Sequence, residues 1–248
     1  MSTSVIEVDR VSKSFGGVVA NHEISLAVPQ GKITGLIGPN GSGKTTLFNS
    51  IVGYHPIDAG SIKFKGEEIS DLNVQKIARL GLVRTFQQTR IYGKLDCMQN
   101  MMISIPHRNA AWADMFAKPS RQTQARTEQL LDFVGLYAKR RLLAGSLSFG
   151  QQKLLEFAMA LMNEPEVLML DEPTAGINPT LINGLIDRLR RANTEFGITM
   201  FIIEHNMRVI MNMADSIYCL AHGELLAHGS PEQIQNDQRV IDAYLGAH

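Results

Sequence analysis

Gly38-Pro39-Asn40-Gly41-Ser42-Gly43-Lys44-Thr45 is the stretch from which the rest of the chain can be read. It has the spacing G-x-x-x-x-G-K-[ST], follows the apolar run Lys32 to Ile37 and precedes a helical pattern beginning near Lys44. Glycines at these positions let successive backbone N–H groups converge on phosphate oxygens, and the N-terminus of the next helix adds a positive dipole end. In such a loop Lys44 reaches the β- and γ-phosphates, and the Thr45 hydroxyl ligates Mg²⁺. A glycine-rich turn can fit the pattern by chance, but the strand before it and the helix after it argue for the phosphate reading.

A second segment sharpens that reading. Val167-Leu168-Met169-Leu170 is a continuous apolar run that delivers Asp171 and Glu172 to its C-terminal end. In an open α/β sheet that end faces the ligand, so Asp171 is placed to hold Mg²⁺ and Glu172 to polarise a water for in-line attack on the γ-phosphate. Alone, an acidic pair after a strand reads equally well as a solvated strand end or a helix cap. Beside the phosphate loop it reads as the second half of a nucleoside-triphosphate site.

Outward from these two segments, strands and helices alternate. Val5 to Val8, Ile24 to Val28 and Lys32 to Ile37 read as strands with turns at Gly16-Gly17 and Pro29-Gln30-Gly31, and Ser61 to Lys65 as a further strand. From about Thr89 to Met162 the apolar spacing becomes helical and β-branched runs disappear, which predicts an inserted α-helical subdomain in an otherwise single domain spanning 1–248. The alternation then resumes. Pro179 to Phe196 is an amphipathic helix with Asn178 as its cap and Pro179 at its first position, Ile198 to Ile203 is a buried strand, and another helix starts near Asn206. Continuous apolar strands between helices predict a parallel sheet covered on both faces. Ser230-Pro231-Glu232-Gln233 is a capping box opening a short helix.

Composition excludes several classes. Of 248 residues 44% are hydrophobic and 19% charged, as in a folded domain rather than a disordered one. Lys+Arg and Asp+Glu balance at 24 each, so no net field argues for a nucleic-acid partner. Cys97 and Cys219 stand far apart and suggest no disulfide or zinc framework, which fits a reducing cytosol. The N-terminus has the look of no secretory signal, and the longest apolar runs are too short to span a bilayer. A membrane role would be served from the water side.

Further segments resemble those of a known family, the ATP-binding subunits of ABC transporters. Leu147-Ser148-Phe149-Gly150-Gln151 resembles the signature, Arg84-Thr85-Phe86-Gln87 the Q-loop, Asp171 to Asn178 the Walker B strand running into the D-loop, and Ile203-Glu204-His205 the switch-histidine motif. Phe15 stands where the family places an aromatic under adenine. The chain is most similar to LivG-type ATPases of branched-chain amino-acid importers, through Leu36 to Gly41, Arg84 to Gln87, Ala175 to Pro179, Glu204-His205-Asn206-Met207 and the closing Val240 to Gly246. Two departures stand out. Phe149 replaces the second residue of the usual Ser-Gly-Gly core, and Asn178 occupies the place of the usual D-loop aspartate.

The resemblance implies a P-loop NTPase of the ABC type: a core with a mainly parallel sheet, an N-terminal antiparallel β subdomain and the helical insertion. It implies ATP bound by Phe15, Gly38, Pro39, Asn40, Gly41, Ser42, Gly43, Lys44, Thr45, Thr46 and Gln87. Thr45, Gln87 and Asp171 are the implied Mg²⁺ ligands, Glu172 the base, and His205 the contact to the γ-phosphate and attacking water. Leu147, Ser148, Phe149, Gly150 and Gln151 would face the ATP of a partner cassette in a head-to-tail dimer. Integral-membrane permease subunits, and through them an extracytoplasmic solute-binding protein, are the implied partners, at the cytoplasmic face of the membrane. Ile91, Tyr92, Leu95, Met98, Met101 and Met102 read either as subdomain core or as the groove that receives a permease helix. Urea or amide uptake, lipopolysaccharide export and a non-transport ABC ATPase are the alternative roles.

Overall fold

In the computed structural model the described residues are 3–85, 91–105 and 120–245, and they form two compact units. The first comprises Met1–Arg84, Glu166–Thr174 and Leu189–His248, the second Thr85–Pro165 and Ala175–Arg188.

The first unit contains two sheets. β1 (Ser4–Phe15) pairs antiparallel with β2 (Val18–Pro29) and with β4 (Ala59–Phe64), which carries the short β5 (Glu67–Glu68) at its far side. The six-stranded sheet has the order β10-β9-β3-β8-β7-β6. In it β3 (Ile33–Ile37), β8 (Thr199–Ile203), β7 (Val167–Asp171) and β6 (Leu82–Arg84) run parallel, as does β9 (Ser216–Ala221) beside β3. β10 (Glu224–Gly229) returns antiparallel on β9. Every residue of β3, β7 and β8 is buried, so these strands read as mostly apolar runs instead of alternating ones.

α1 (Lys44–Ile51) follows β3 directly and sets Leu47, Phe48 and Ile51 into a core with Ile6, Val28, Ile62 and Phe64 from the first sheet and Leu36, Phe201 and Ile203 from the second. The Phe48 and Phe201 rings lie 4.8 Å apart at a tilt of 45°. α2 (Val74–Arg79) lies between β5 and β6 in the chain. Near the C-terminus come α7 (Met207–Met213), α8 (Pro231–Gln235), opened by a capping box between Ser230 and Gln233, and α9 (Gln238–Leu245).

The second unit is helical among its described residues. α3 (Cys97–Ile103) has a capping box between Asp96 and Gln99, α4 (Arg121–Phe133) is capped by Ser120, and α5 (Phe149–Leu161) has a capping box between Ser148 and Gln151. Cys97, Met101, Leu130, Leu131, Val134, Leu155, Ala158 and Leu161 are among its most deeply buried residues. Buried Asn100 closes the loop before α3, accepting from the Tyr92 N–H at 2.7 Å and donating to the carbonyls of Tyr92, Leu95 and Asp96. This unit also holds residues 175–188, a stretch outside the insertion of 89–162 read from the sequence. α6 (Pro179–Phe196) begins there with the bounds its periodicity and Asn178 cap predict.

Of the apolar and methionine residues after residue 90, Met98 and Met101 are buried in the core. Leu95, Met98 and Met102 also line a groove of about 450 Å³ with Gln99, Ile103, Gln124 and Arg141.

Candidate functional site

The loop between β3 and α1 is held by glycines. Gly43, the cap of α1, has φ 95°, and a Cβ there would lie 2.3 Å from the Ala20 carbonyl oxygen and 2.4 Å from Asn21 Nδ2. Only glycine meets both conditions. The loop oxygens bind the lysine of their own motif: Lys44 Nζ donates to Gly38 O at 2.8 Å, Pro39 O at 2.9 Å and Ser42 Oγ at 3.4 Å. Burial pushes the Lys44 ammonium below its ordinary value, opposed by the charges of Glu172, Cys219 and Asp171. Lys44 therefore stands in the same electrostatic environment as the acidic pair at the end of β7. Thr45 is exposed and Thr46 half-buried at the start of α1.

Asp171 ends β7 and is buried. Its Oδ2 accepts from Arg84 Nη2 at 2.6 Å, and Arg84 Nη1 also bonds Asn49 Oδ1 of α1. Asp171 Oδ1 is buried and has no hydrogen-bond partner among the described residues. Burial raises the Asp171 carboxyl above its usual range, against the pull of Arg84. A buried carboxylate oxygen left without a donor is costly, and it suits a hard cation that takes oxygen ligands. The exposed Thr45 hydroxyl is of the same chemistry, and a magnesium ion takes its remaining ligands from phosphate oxygens and water. The residues present fit the ion.

Glu172 follows with a left-handed backbone, φ 50°, its N–H bonded to the Ile203 carbonyl at 2.9 Å. A non-glycine residue held in that region is strained, at roughly 1–3 kcal/mol, and such residues concentrate at working sites. His205 Nε2 lies 2.7 Å from Glu172 Oε1, with both side chains partly exposed. β7 and β8, neighbours in the sheet, thus bring the two expected catalytic residues into contact.

Two residues to which the motifs assign no role bond the His205 turn and the phosphate loop. Buried Glu204 accepts from Thr174 N at 3.2 Å and from the Thr174 hydroxyl with one oxygen, and from His205 N at 2.8 Å and Asn206 N at 3.1 Å with the other. The Tyr244 hydroxyl of α9 accepts from the Gly38 N–H at 2.8 Å, and burial pushes its pKa up to about 12. Arg84 and Tyr244 act across 87 and 206 positions of chain, which no local pattern announces.

Phe15 closes β1, partly exposed, with the His55 ring edge-on at 5.2 Å and Lys13 Nζ 5.3 Å from its centroid. Lys13 in turn bonds Asp58 Oδ1 at 2.8 Å. Gln87 lies outside the described residues. In the second unit Leu147 is buried, Ser148 caps α5 and Phe149 is exposed. The Phe149 ring covers Gly176 so closely that a Cβ there would come within 2.9 Å of Phe149 Cε1.

This arrangement, a phosphate-loop motif near an Asp-Glu strand end with a histidine in contact with Glu172, is that of a nucleoside-triphosphatase. Residues 21–175 match the family model described as ABC transporter, and the chain belongs to that family, as an ATP-binding and ATP-hydrolysing cassette subunit. Residues 224–248 match a second model, branched-chain amino acid ATP-binding cassette transporter. The chain is 38% identical over 253 residues to the high-affinity branched-chain amino acid transport ATP-binding protein BraF of Pseudomonas aeruginosa, with 99% of each chain covered. It is 35% identical over 253 residues to the corresponding protein LivG of Escherichia coli, again with 99% of each covered. The solved ADP conformation of an ATP-binding cassette of an ABC transporter superposes with a TM-score of 0.89 at 29% identity, covering 99% of this chain and 100% of that one. Among the described residues no helix is long and apolar enough to cross a membrane.

Proposed function

We propose that this chain powers the uptake of branched-chain or chemically related amino acids, working at the cytoplasmic face of the membrane on permease subunits that an extracytoplasmic binding protein supplies. The observation that carries the solute class is the full-length similarity to BraF and LivG, joined to the match of the C-terminal residues 224–248.

In this reading Phe15 stacks on adenine and the N–H groups of residues 38–46 bind phosphate. Lys44 leaves its own loop carbonyls for the β- and γ-phosphates, an exchange of neutral acceptors for charged ones. Thr45, Asp171 and Gln87 hold magnesium, which when bound neutralises charge on the phosphate oxygens. Glu172 takes the proton of the attacking water, and His205 orients that water and the γ-phosphate. Ser148 and the exposed N-terminus of α5 serve the nucleotide of a second cassette, because free N–H groups at a helix start attract anions. ATP then closes a head-to-tail dimer and hydrolysis reopens it. The groove of Leu95, Met98 and Met102 suits an amphipathic permease helix, methionines being adaptable apolar contacts.

The test is a pull-down from detergent-solubilised membranes of the native host, with ATPase activity measured in the same sample. Two multispanning permeases with a second small cassette, and activity that rises in the complex, support the importer. A self-paired cassette with an envelope-lipid machinery, or no membrane partner, contradicts it.

A further inference from the structure

Glu204 is a carboxylate just past the end of a buried strand, 2% exposed, with no lysine or arginine among its hydrogen-bond partners in the described residues. Four protein donors satisfy it instead. One oxygen takes the N–H and hydroxyl of Thr174, three residues beyond Asp171; the other takes the N–H groups of His205 and Asn206. Asn206 is the cap of α7. One side chain thus ties the turn that follows Glu172 to the turn that carries His205. Thr174 is also the last residue of its stretch of the first unit, beyond which residues 175–188 belong to the second.

We propose that Glu204 is a positioning residue for hydrolysis, which fixes His205 against Glu172 by clamping the two turns together. This inference rests on the reading of the chain as an ATPase. The chemistry demands a carboxylate: only an ionised group offers two oxygens, each able to accept two donors. An amide in its place accepts at one end only. If its oxygen stays on the His205 and Asn206 N–H groups, its NH₂ faces Thr174, whose hydroxyl can turn to accept while the Thr174 N–H is left without a partner. The clamp then opens on the side of Glu172. Displacements of about 1 Å at a reacting group cost on the order of a hundredfold in rate, whereas the nucleotide's phosphate loop, held by Gly43 and α1, is untouched by the change.

The experiment uses the full-length chain purified with the subunits that accompany it from membranes. Wild type, Glu204→Gln and Thr174→Val are compared for kcat, KM, equilibrium ATP binding and Tm, together with the ¹⁵N chemical shifts of the His205 imidazole. The expected result is a fall in kcat of tenfold or more for Glu204→Gln, a smaller fall for Thr174→Val, ATP binding within threefold of wild type for both, and a displaced His205 signal. Thr174→Val keeps the carboxylate and its bonds to the His205 turn, so it carries the test if Glu204→Gln fails to fold. A lower Tm with kcat per folded molecule unchanged at a temperature well below it, and with an unmoved His205 signal, overturns the positioning role alone. A wild-type complex without ATP turnover overturns the ATPase reading and this inference with it.

Discussion

His205 Nε2 lies 2.7 Å from Oε1 of Glu172, and Glu172 reaches it from a left-handed backbone at φ 50°. The two residues sit just past the ends of adjacent parallel strands, so the sheet register that pairs Asp171 with Ile203 also sets their separation. If this contact orients the water and γ-phosphate, His205→Ala lowers ATP turnover by about a hundredfold or more and leaves ATP binding within a few-fold. Steady-state ATPase assays beside a binding titration check it.

Lys44 is a different kind of residue, because its ammonium is already desolvated and spent on three loop oxygens. Lys44→Ala removes a charged donor whose bonds to phosphate are worth about 1.5–3 kcal/mol, which is roughly ten- to a hundredfold in Kd. The loss falls on nucleotide binding itself, unlike that of His205→Ala, and fluorescence titration with a nucleotide analogue measures it.

Gly176 has φ 72° and the Phe149 ring upon it. Gly176→Ala meets both a disfavoured backbone and the ring, and lowers stability by about 1–2 kcal/mol from the backbone alone. Adding Phe149→Ala restores only the share due to the ring contact. A double-mutant cycle by chemical denaturation gives a coupling of about 0.5 kcal/mol or more if the two residues act as neighbours.

Asp58 contributes to the acid limb of stability. The Lys13 ammonium, then the Ser14 N–H, holds its carboxyl below the ordinary value of 3.8. A depressed folded pKa contributes stability that is present above 3.8 and lost as the pH falls through the folded value. The Tm advantage of wild type over Asp58→Asn is therefore flat above about pH 5 and shrinks on acidification below 3.8, as thermal melts across that range show.

How far the sequence carried the structure depended on the range of the interaction. The phosphate loop, the buried strands β3, β7 and β8, the Asn178-capped α6 and the Ser230 capping box are local patterns, and each stands where its residues put it. β9 and β10 form a hairpin that the sequence does not announce. Their two-residue turn is His222-Gly223, both at positive φ, and histidine in place of the usual Asn or Asp hides the signal. At the site, Asp171, Glu172 and His205 were legible because each ends or follows an apolar run. The partners of that set were not. Arg84 on Asp171, Glu204 between two turns and Tyr244 on Gly38 depend on which strands and helices lie side by side, information that periodicity lacks.

The measurement that tests the account most directly is ATP hydrolysis by Glu172→Gln, with ATP binding and dimerisation followed in the same preparation. The amide keeps the size of the side chain and removes its basicity. Turnover reduced at least about a hundredfold, ATP bound as in wild type, and a dimer that persists with ATP present are the predicted results. Turnover close to wild type would remove Glu172 from the chemistry and contradict the site as described.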